Sequence, residues 1–232
     1  MSAGSREPQN HRMRKENDSF AVSRNRIRRA GAGWPFLFCR FFLRILFKVF
    51  FRIRVSGSEN VPREGGVLLA CNHQSFFDPM IVSVGTKRPI TFMARDTLFR
   101  NWLFGPMISR LNSFPVRRGK ADVDAIREAV QRLQWGWALL VFPEGERTRD
   151  GRIAKLRGGP AMLAHRANVP IVPAVIKGAF EAWPRHRKLF RFHRISIVFG
   201  RPIPPPPDGR RETQERILQE LQQSLESLFE AF

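Results

Sequence analysis

GVLLACNHQSFFDP, residues 66–79, runs from an unbroken apolar stretch through a polar cluster to an Asp-Pro pair. A short apolar run bounded by polar residues predicts a strand buried on both faces, the signature of a parallel sheet. Asp at a helix cap with Pro in the first helical position favours the start of a helix. Strand, polar turn and helix together form the repeating unit of an open α/β sheet, which places its sites at the carboxyl ends of strands. Outward from this unit, ITFMA (90–94), ALLVF (138–142), PIVPAVI (170–176) and ISIVF (195–199) read as further strands. Residues 79–86, 101–111, 122–134 and 159–167 read as the helices between them. PIPPPPDG (202–209) predicts an extended connector, because its prolines suit neither a helix nor a central strand. Beyond it, Ile217, Leu218, Leu221, Leu225, Leu228, Phe229 and Phe232 keep helical spacing, which predicts an amphipathic C-terminal helix docked on the domain. The expected fold is α/β: one domain over residues 57–232 with a mixed, largely parallel sheet flanked by helices.

The polar cluster carries the first candidate chemistry. On a continuous helix His73 and Asp78 point apart, so they meet only if the chain turns after His73 and Asp78 begins the next helix. In that arrangement Asp78 accepts a hydrogen bond from one ring nitrogen of His73, and the other nitrogen is free to take a proton from a hydroxyl. A local alternative pairs Ser75 with Asp78 in a capping box. Ser75 lacks the G-x-S-x-G surroundings of a nucleophile elbow, and Cys71 at the strand end reads as inert core. None of His165, His186 and His193 has metal-ligand spacing with His73, so a metal site is not implied.

Upstream lies WPFLFCRFFLRILFKVFFR (34–52), in which Arg40, Arg44, Lys48 and Arg52 interrupt an apolar run at every fourth position. On a helix they advance by only about 40 degrees each and form one narrow cationic stripe. Spanning a bilayer gains about 0.3–0.6 kcal/mol per apolar residue but costs about 2.5–3.5 for each central cation, which roughly breaks even. Lying in the interface lets the Phe/Leu face enter the acyl boundary and the cations meet lipid phosphates. We therefore expect an N-terminal amphipathic, interfacial membrane-anchoring helix at 34–56, preceded by a disordered basic tail at 1–33. A spanning helix and a buried helix with its cations in solvent are the alternatives.

The chain of 232 residues carries 40 Lys+Arg against 20 Asp+Glu, a net charge of +20. Such a balance implies an anionic partner: nucleic acid, an acidic membrane surface or a phosphorylated substrate. Two cysteines make no disulfide framework and suit a reduced, cytosol-facing chain. Two further clusters bear cations after apolar stretches. SFPVRRGK (113–120) contains Arg117, Arg118 and Lys120, and VFPEGERTRDG (141–151) contains Glu144, Gly145, Glu146 and Arg147. Arginine forks suit phosphate, and glycines allow close approach of the backbone.

NHQSFFDP, SFPVRRG, FPEGERTRDG and VPIVPAVI, in that order, resemble the four motif blocks of the 1-acylglycerol-3-phosphate O-acyltransferase family, over about residues 57–200. The resemblance implies transfer of an acyl group from acyl-CoA or acyl carrier protein to the hydroxyl of a lysophospholipid, by default lysophosphatidate. It implies His73 as base in the HX4D motif and Asp78 as its partner. Arg118, Glu144, Gly145 and Arg147 would then shape the acceptor's glycerol-phosphate site, with Pro173 in the fourth block structural or acyl-lining. Glu146 stands where the family often has Thr, and Arg117 where an acid is common. Which arginine holds phosphate, and whether the acceptor is lysophosphatidate or a lyso-aminolipid, stay open. The expected partners are membrane lipids, the lysophospholipid and the acyl donor, not nucleic acid. The expected location is the cytoplasmic face of a membrane, the inner membrane if the chain is bacterial. A non-catalytic basic binder and a hydrolase using water are the rival readings.

Overall fold

A seven-stranded sheet organises the computed structural model, which describes residues 34–99, 102, 108, 112–116 and 122–231. The strands are β1 (Arg54–Ser56), β2 (Val67–Cys71), β3 (Ile90–Arg95), β4 (Ser113–Val116), β5 (Ala138–Val141), β6 (Ile171–Lys177) and β7 (Ser196–Phe199). Their order is β1-β7-β6-β2-β5-β3-β4, and every neighbouring pair is parallel except β6 with β7. The sheet is thus mixed and largely parallel, as the apolar runs predict.

Strands β2, β5 and β6 lie in the middle and are buried almost throughout. Their side chains alternate between two cores. Val67, Leu69 and Cys71 join Leu140 and Val172 on one face, under helix α2 (Asp78–Gly85). Leu68 and Ala70 join Leu139 and Val175 on the other, under α4 (Val123–Gln134), α5 (Gly159–Ala167) and α7 (Arg211–Glu230). A single-turn helix, α3 (Asp96–Phe99), follows β3. The C-terminal helix buries Ile217, Leu221 and Leu225, three positions of its expected apolar stripe. The proline-rich connector touches the sheet through one bridge, Ile203 with Ile171.

Helix α1 (Trp34–Phe50) differs from expectation in two ways. First, it does not continue to residue 56. The chain turns at Arg52, whose φ is +45°, and residues 54–56 become edge strand β1 on β7. The end is fastened because Phe47 and Phe51 enter the core against Phe77, with ring centroids 5.5 and 5.2 Å away. Second, the cationic stripe faces the domain along its first half. Arg40 donates to the Thr86 carbonyl and Arg44 to the Val84 carbonyl at 3.1 Å, at the C-terminal end of α2, where cations are favoured. The exposed side of α1 is instead apolar: Leu37, Phe38, Phe41, Phe42, Ile45, Val49 and Phe50. Among the described residues no helix is long and apolar enough to cross a membrane.

Strand β4 covers SFPV (113–116), which the sequence marks only as an apolar stretch before basic residues; Pro115 is tolerated there because β4 is an edge. The tail 1–33, most of the expected helix 101–111, Phe232, and Arg117, Arg118 and Lys120 lie outside the described residues.

Candidate active site

The chain leaves β2 at Cys71 and turns through residues 72–77 before α2. Asn72 fixes the turn by bonding both backbone groups of Ile176 on β6: its Nδ2 donates to the carbonyl at 2.9 Å and its Oδ1 accepts the N–H at 2.7 Å. The turn brings His73 Nδ1 within 2.7 Å of Asp78 Oδ2. Asp78 is fully buried, whereas the His73 side chain keeps 14% of its surface exposed. The same Oδ2 accepts the N–H groups of Gln74 and Ser75, both at 2.7 Å. A carboxylate only accepts, so Nδ1 carries the proton in this pair, and it is Nε2 that holds the lone pair whenever the ring is neutral. His73 and the Ser75 N–H share one oxygen of Asp78, but the capping box is only half formed, because the Ser75 hydroxyl bonds elsewhere and Phe77 is the cap. Asp78 is itself the first helical residue, with Phe77 at the cap, one position from the expected cap.

Ser75 is engaged elsewhere. Its hydroxyl donates to the Trp183 carbonyl at 2.8 Å and accepts the Phe77 N–H at 3.2 Å. Cys71 is buried, and burial, then the charges of Asp78 and Glu144, push its thiol well above the ordinary range. Neither residue is poised as a nucleophile.

The loop after β5 holds His73 from the other side. Glu144 Oε1 accepts the His73 N–H at 2.7 Å and Oε2 accepts the Ala154 N–H at 2.9 Å. Thr148 N–H donates to the His73 carbonyl at 2.7 Å. The imidazole stacks on Phe142 with centroids 3.8 Å apart and planes 13° from parallel. Both backbone groups and the ring of His73 are thereby set by one loop. Burial pushes the Glu144 carboxyl up, although its two N–H partners act in the opposite sense.

Gly145 turns this loop at φ +81°, and a Cβ there would lie 2.8 Å from the Arg157 side chain. The Arg147 guanidinium lies 3.5 Å over the Phe76 ring, next to the His73 turn. Glu146, the extra acid of this block, pairs with Arg185 at 3.2 Å. A cleft of about 400 Å³ opens alongside, lined by Gln74, Gly151, Lys177, Glu181 and His193. Pro173 is buried in β6, where its carbonyl accepts the Gly200 N–H at 2.8 Å.

The structure thus brings together His73, Asp78, Glu144, Gly145 and Arg147. Phe142, Thr148 and Gln74, whose Nε2 donates to the Gly151 carbonyl at 2.9 Å, also build the site. Sequence reasoning passed over these three because nothing in their spacing marks them. Glu144→Ala should strip acceptors from two backbone N–H groups, at about 1–3 kcal/mol each, and let His73 drift. We expect a clearly lower Tm in thermal unfolding together with reduced turnover. Glu144→Gln, which keeps one acceptor oxygen, should fall between. An unchanged Tm in Glu144→Ala would show that these N–H groups find other partners.

Residues 52–177, just over half of the chain, match the family described as acyltransferase. The 1-acyl-sn-glycerol-3-phosphate acyltransferase of Bacillus subtilis is 26% identical over 181 residues, covering 78% of this chain and 88% of its own. A probable 1-acyl-sn-glycerol-3-phosphate acyltransferase of Mycoplasma pneumoniae is 32% identical over 167 residues, covering 66% of this chain and 62% of its own. The crystal structure of the 1-acyl-sn-glycerophosphate acyltransferase PlsC from Thermotoga maritima superposes with a TM-score of 0.63 at 24% identity, over 86% of each chain, so the fold is shared. Because the family match spans more than half of the chain and takes in all four blocks, the chain belongs to the acyltransferase family, whose members include 1-acyl-sn-glycerol-3-phosphate acyltransferases.

Proposed function

We propose that this enzyme transfers a fatty acyl group from an acyl thioester, acyl-CoA or acyl carrier protein, to the free hydroxyl of 1-acyl-sn-glycerol-3-phosphate, giving phosphatidic acid. The observation that carries the reading is the His73–Asp78 contact of 2.7 Å, with the carboxylate wholly buried. Nε2 of His73 takes the hydroxyl proton as the acceptor oxygen attacks the thioester carbonyl carbon. The tetrahedral oxyanion collapses, the C–S bond breaks, and the departing thiolate takes the proton back from the imidazolium. Asp78 holds the ring in the required tautomer and stabilises its positive charge. Arg147, with Arg117 and Arg118 of the second block, supplies cations for the acceptor's phosphate. Glu144 and Gly145 shape the loop that faces it. The scheme needs no metal or organic cofactor.

The substrates and product live in a bilayer, and the outer face of α1 suits it. Seven large apolar side chains lie exposed there, Phe41 at 63%. A surface monomer rarely leaves so large an apolar patch to water. In this reading α1 lies in the interface on the cytoplasmic face of a membrane, with the catalytic domain behind it. Leu43 packs on the core, so the test uses outer residues: Phe41, Phe42 and Val49 to Ser should move the protein from membranes to the soluble fraction. Retention on membranes would remove α1 as the main anchor.

The activity is tested with purified protein in detergent, a labelled long-chain acyl-CoA or acyl carrier protein, and lysophosphatidate. Product that requires the acceptor supports the transfer. Free fatty acid released without acceptor would mean a hydrolase on the same dyad, and product formed only with another lysolipid would move the acceptor assignment.

A further inference from the structure

The loop between α6 (Ala179–Ala182) and β7 reads RHRKLFRFHR over residues 185–194, with five Arg or Lys, two His and no acid. Three large apolar residues stand among these cations, and all are exposed: Leu189 at 80%, Phe192 at 65% and Phe190 at 48%. A loop that only met water would have no use for them.

The loop is not loose on the domain. The Arg191 N–H donates to the Ala182 carbonyl at 2.8 Å. The Phe190 ring lies 5.7 Å from Phe77 and 6.1 Å from Phe51. Phe192 stacks on Phe50 at 5.3 Å, which makes the loop's apolar residues continuous with the outer face of α1.

Charge identifies what covers this joint face. An interfacial helix ordinarily brings its own cations to the headgroups. Of the three stripe cations in α1, two are already bound to the end of α2, Arg40 at Thr86 and Arg44 at Val84. The loop supplies replacements beside the same apolar face. Among the described residues, the ion pairs take Arg185 and none of Lys188, Arg191 or Arg194.

We infer that loop 185–194 and the outer face of α1 form a single seat for an anionic phospholipid bilayer, in which the loop makes binding depend on lipid charge. This rests on the membrane-surface reading of α1 and adds to it a second element and a lipid preference. The seat is joined to both halves of the site. Trp183, just before the loop, accepts the Ser75 hydroxyl at its carbonyl and packs its ring 4.9 Å from both Phe76 and Phe77. Arg185 reaches Glu146 and the Arg147 carbonyl. A bilayer held on the seat therefore lies beside the His73 turn, where an acceptor lipid must be presented.

The test is sedimentation of the full chain with vesicles of phosphatidylcholine alone or mixed with phosphatidylglycerol. Native protein should bind the mixed vesicles far more tightly, and less so in high salt. Each Lys or Arg near an anionic surface strengthens binding roughly fivefold, so Lys188→Gln, Arg191→Gln and Arg194→Gln together should weaken binding to mixed vesicles by roughly 100-fold. The same triple variant should bind neutral vesicles almost as native does. Leu189→Ser with Phe192→Ser should weaken binding to both kinds. Acyl transfer in detergent micelles, kept near native in these exposed-site variants, shows that they fold. Native-like binding of the triple variant to mixed vesicles overturns the inference. If the α1 serine variant is released in that case, the membrane reading of α1 stands without the loop; if neither variant is released, both fail. A native dimer that the Leu189/Phe192 variant splits, with vesicle binding unchanged, would make this face a contact between copies and would also overturn the inference.

Discussion

His73→Ala lowers kcat for acyl transfer by roughly 100- to 10,000-fold, the range that a positioned general base contributes, and leaves the fold in place. The fold survives because little of it depends on the imidazole. Asp78 Oδ2 still accepts the Gln74 and Ser75 N–H groups, and Glu144 still holds the His73 backbone. The missing ring leaves a gap against Phe142, but at a partly exposed position where water can enter. Binding of the acceptor should change much less than turnover, since its phosphate is assigned to arginines. Steady-state kinetics with circular dichroism on the same sample separates these effects. Near-native kcat in a folded variant would end the general-base assignment.

Asp78→Asn should cost roughly 100- to 1,000-fold in kcat, and for a narrower reason than in a catalytic triad, where an Asp-to-Asn change also sets the wrong tautomer. Here two backbone N–H groups point at the Oδ2 position. They would keep the amide oxygen there and turn its NH2 toward the place of Oδ1, which has no hydrogen-bond partner among the described residues. The Asn oxygen can then still accept from Nδ1, so the tautomer survives and only the negative charge is lost. Asp78→Ala removes the acceptor from three donors at once and should lower both Tm and activity more than Asn does. Equal activity losses for Asn and Ala would mean that the oxygen, not the charge, is of little consequence to catalysis, and would contradict this account.

Much of this site is legible along the chain. The β2 run is continuous because a central parallel strand is buried on both faces, and Asp-Pro marks the helix that returns Asp78 to His73. Edge strands β1 and β4 escape such reading. They are three and four residues long, β1 is exposed throughout, and neither presents a period to recognise. The cationic stripe of α1 is equally legible, but not its direction. Nothing local to residues 34–52 reports that the open carbonyls at the end of α2 will take Arg40 and Arg44.

What the sequence by itself determined was the local physics: where the central strands and the amphipathic helices form, and that a histidine and an aspartate five residues apart can meet if the chain turns between them. Only the tertiary structure decided the partners that come from afar. Ala70 lies opposite Val141 in the β2–β5 register, so the two loops that leave these strands emerge side by side. That register, and no feature of either segment alone, delivers Glu144 to the His73 N–H across 71 residues. Packing of α1 on α2 likewise turned Arg40 and Arg44 inward and left Phe38, Phe41, Phe42 and Phe50 facing out. Hydrogen-bond donors and acceptors that are buried must be matched, and where the match lies in a distant segment only the assembled sheet reveals it.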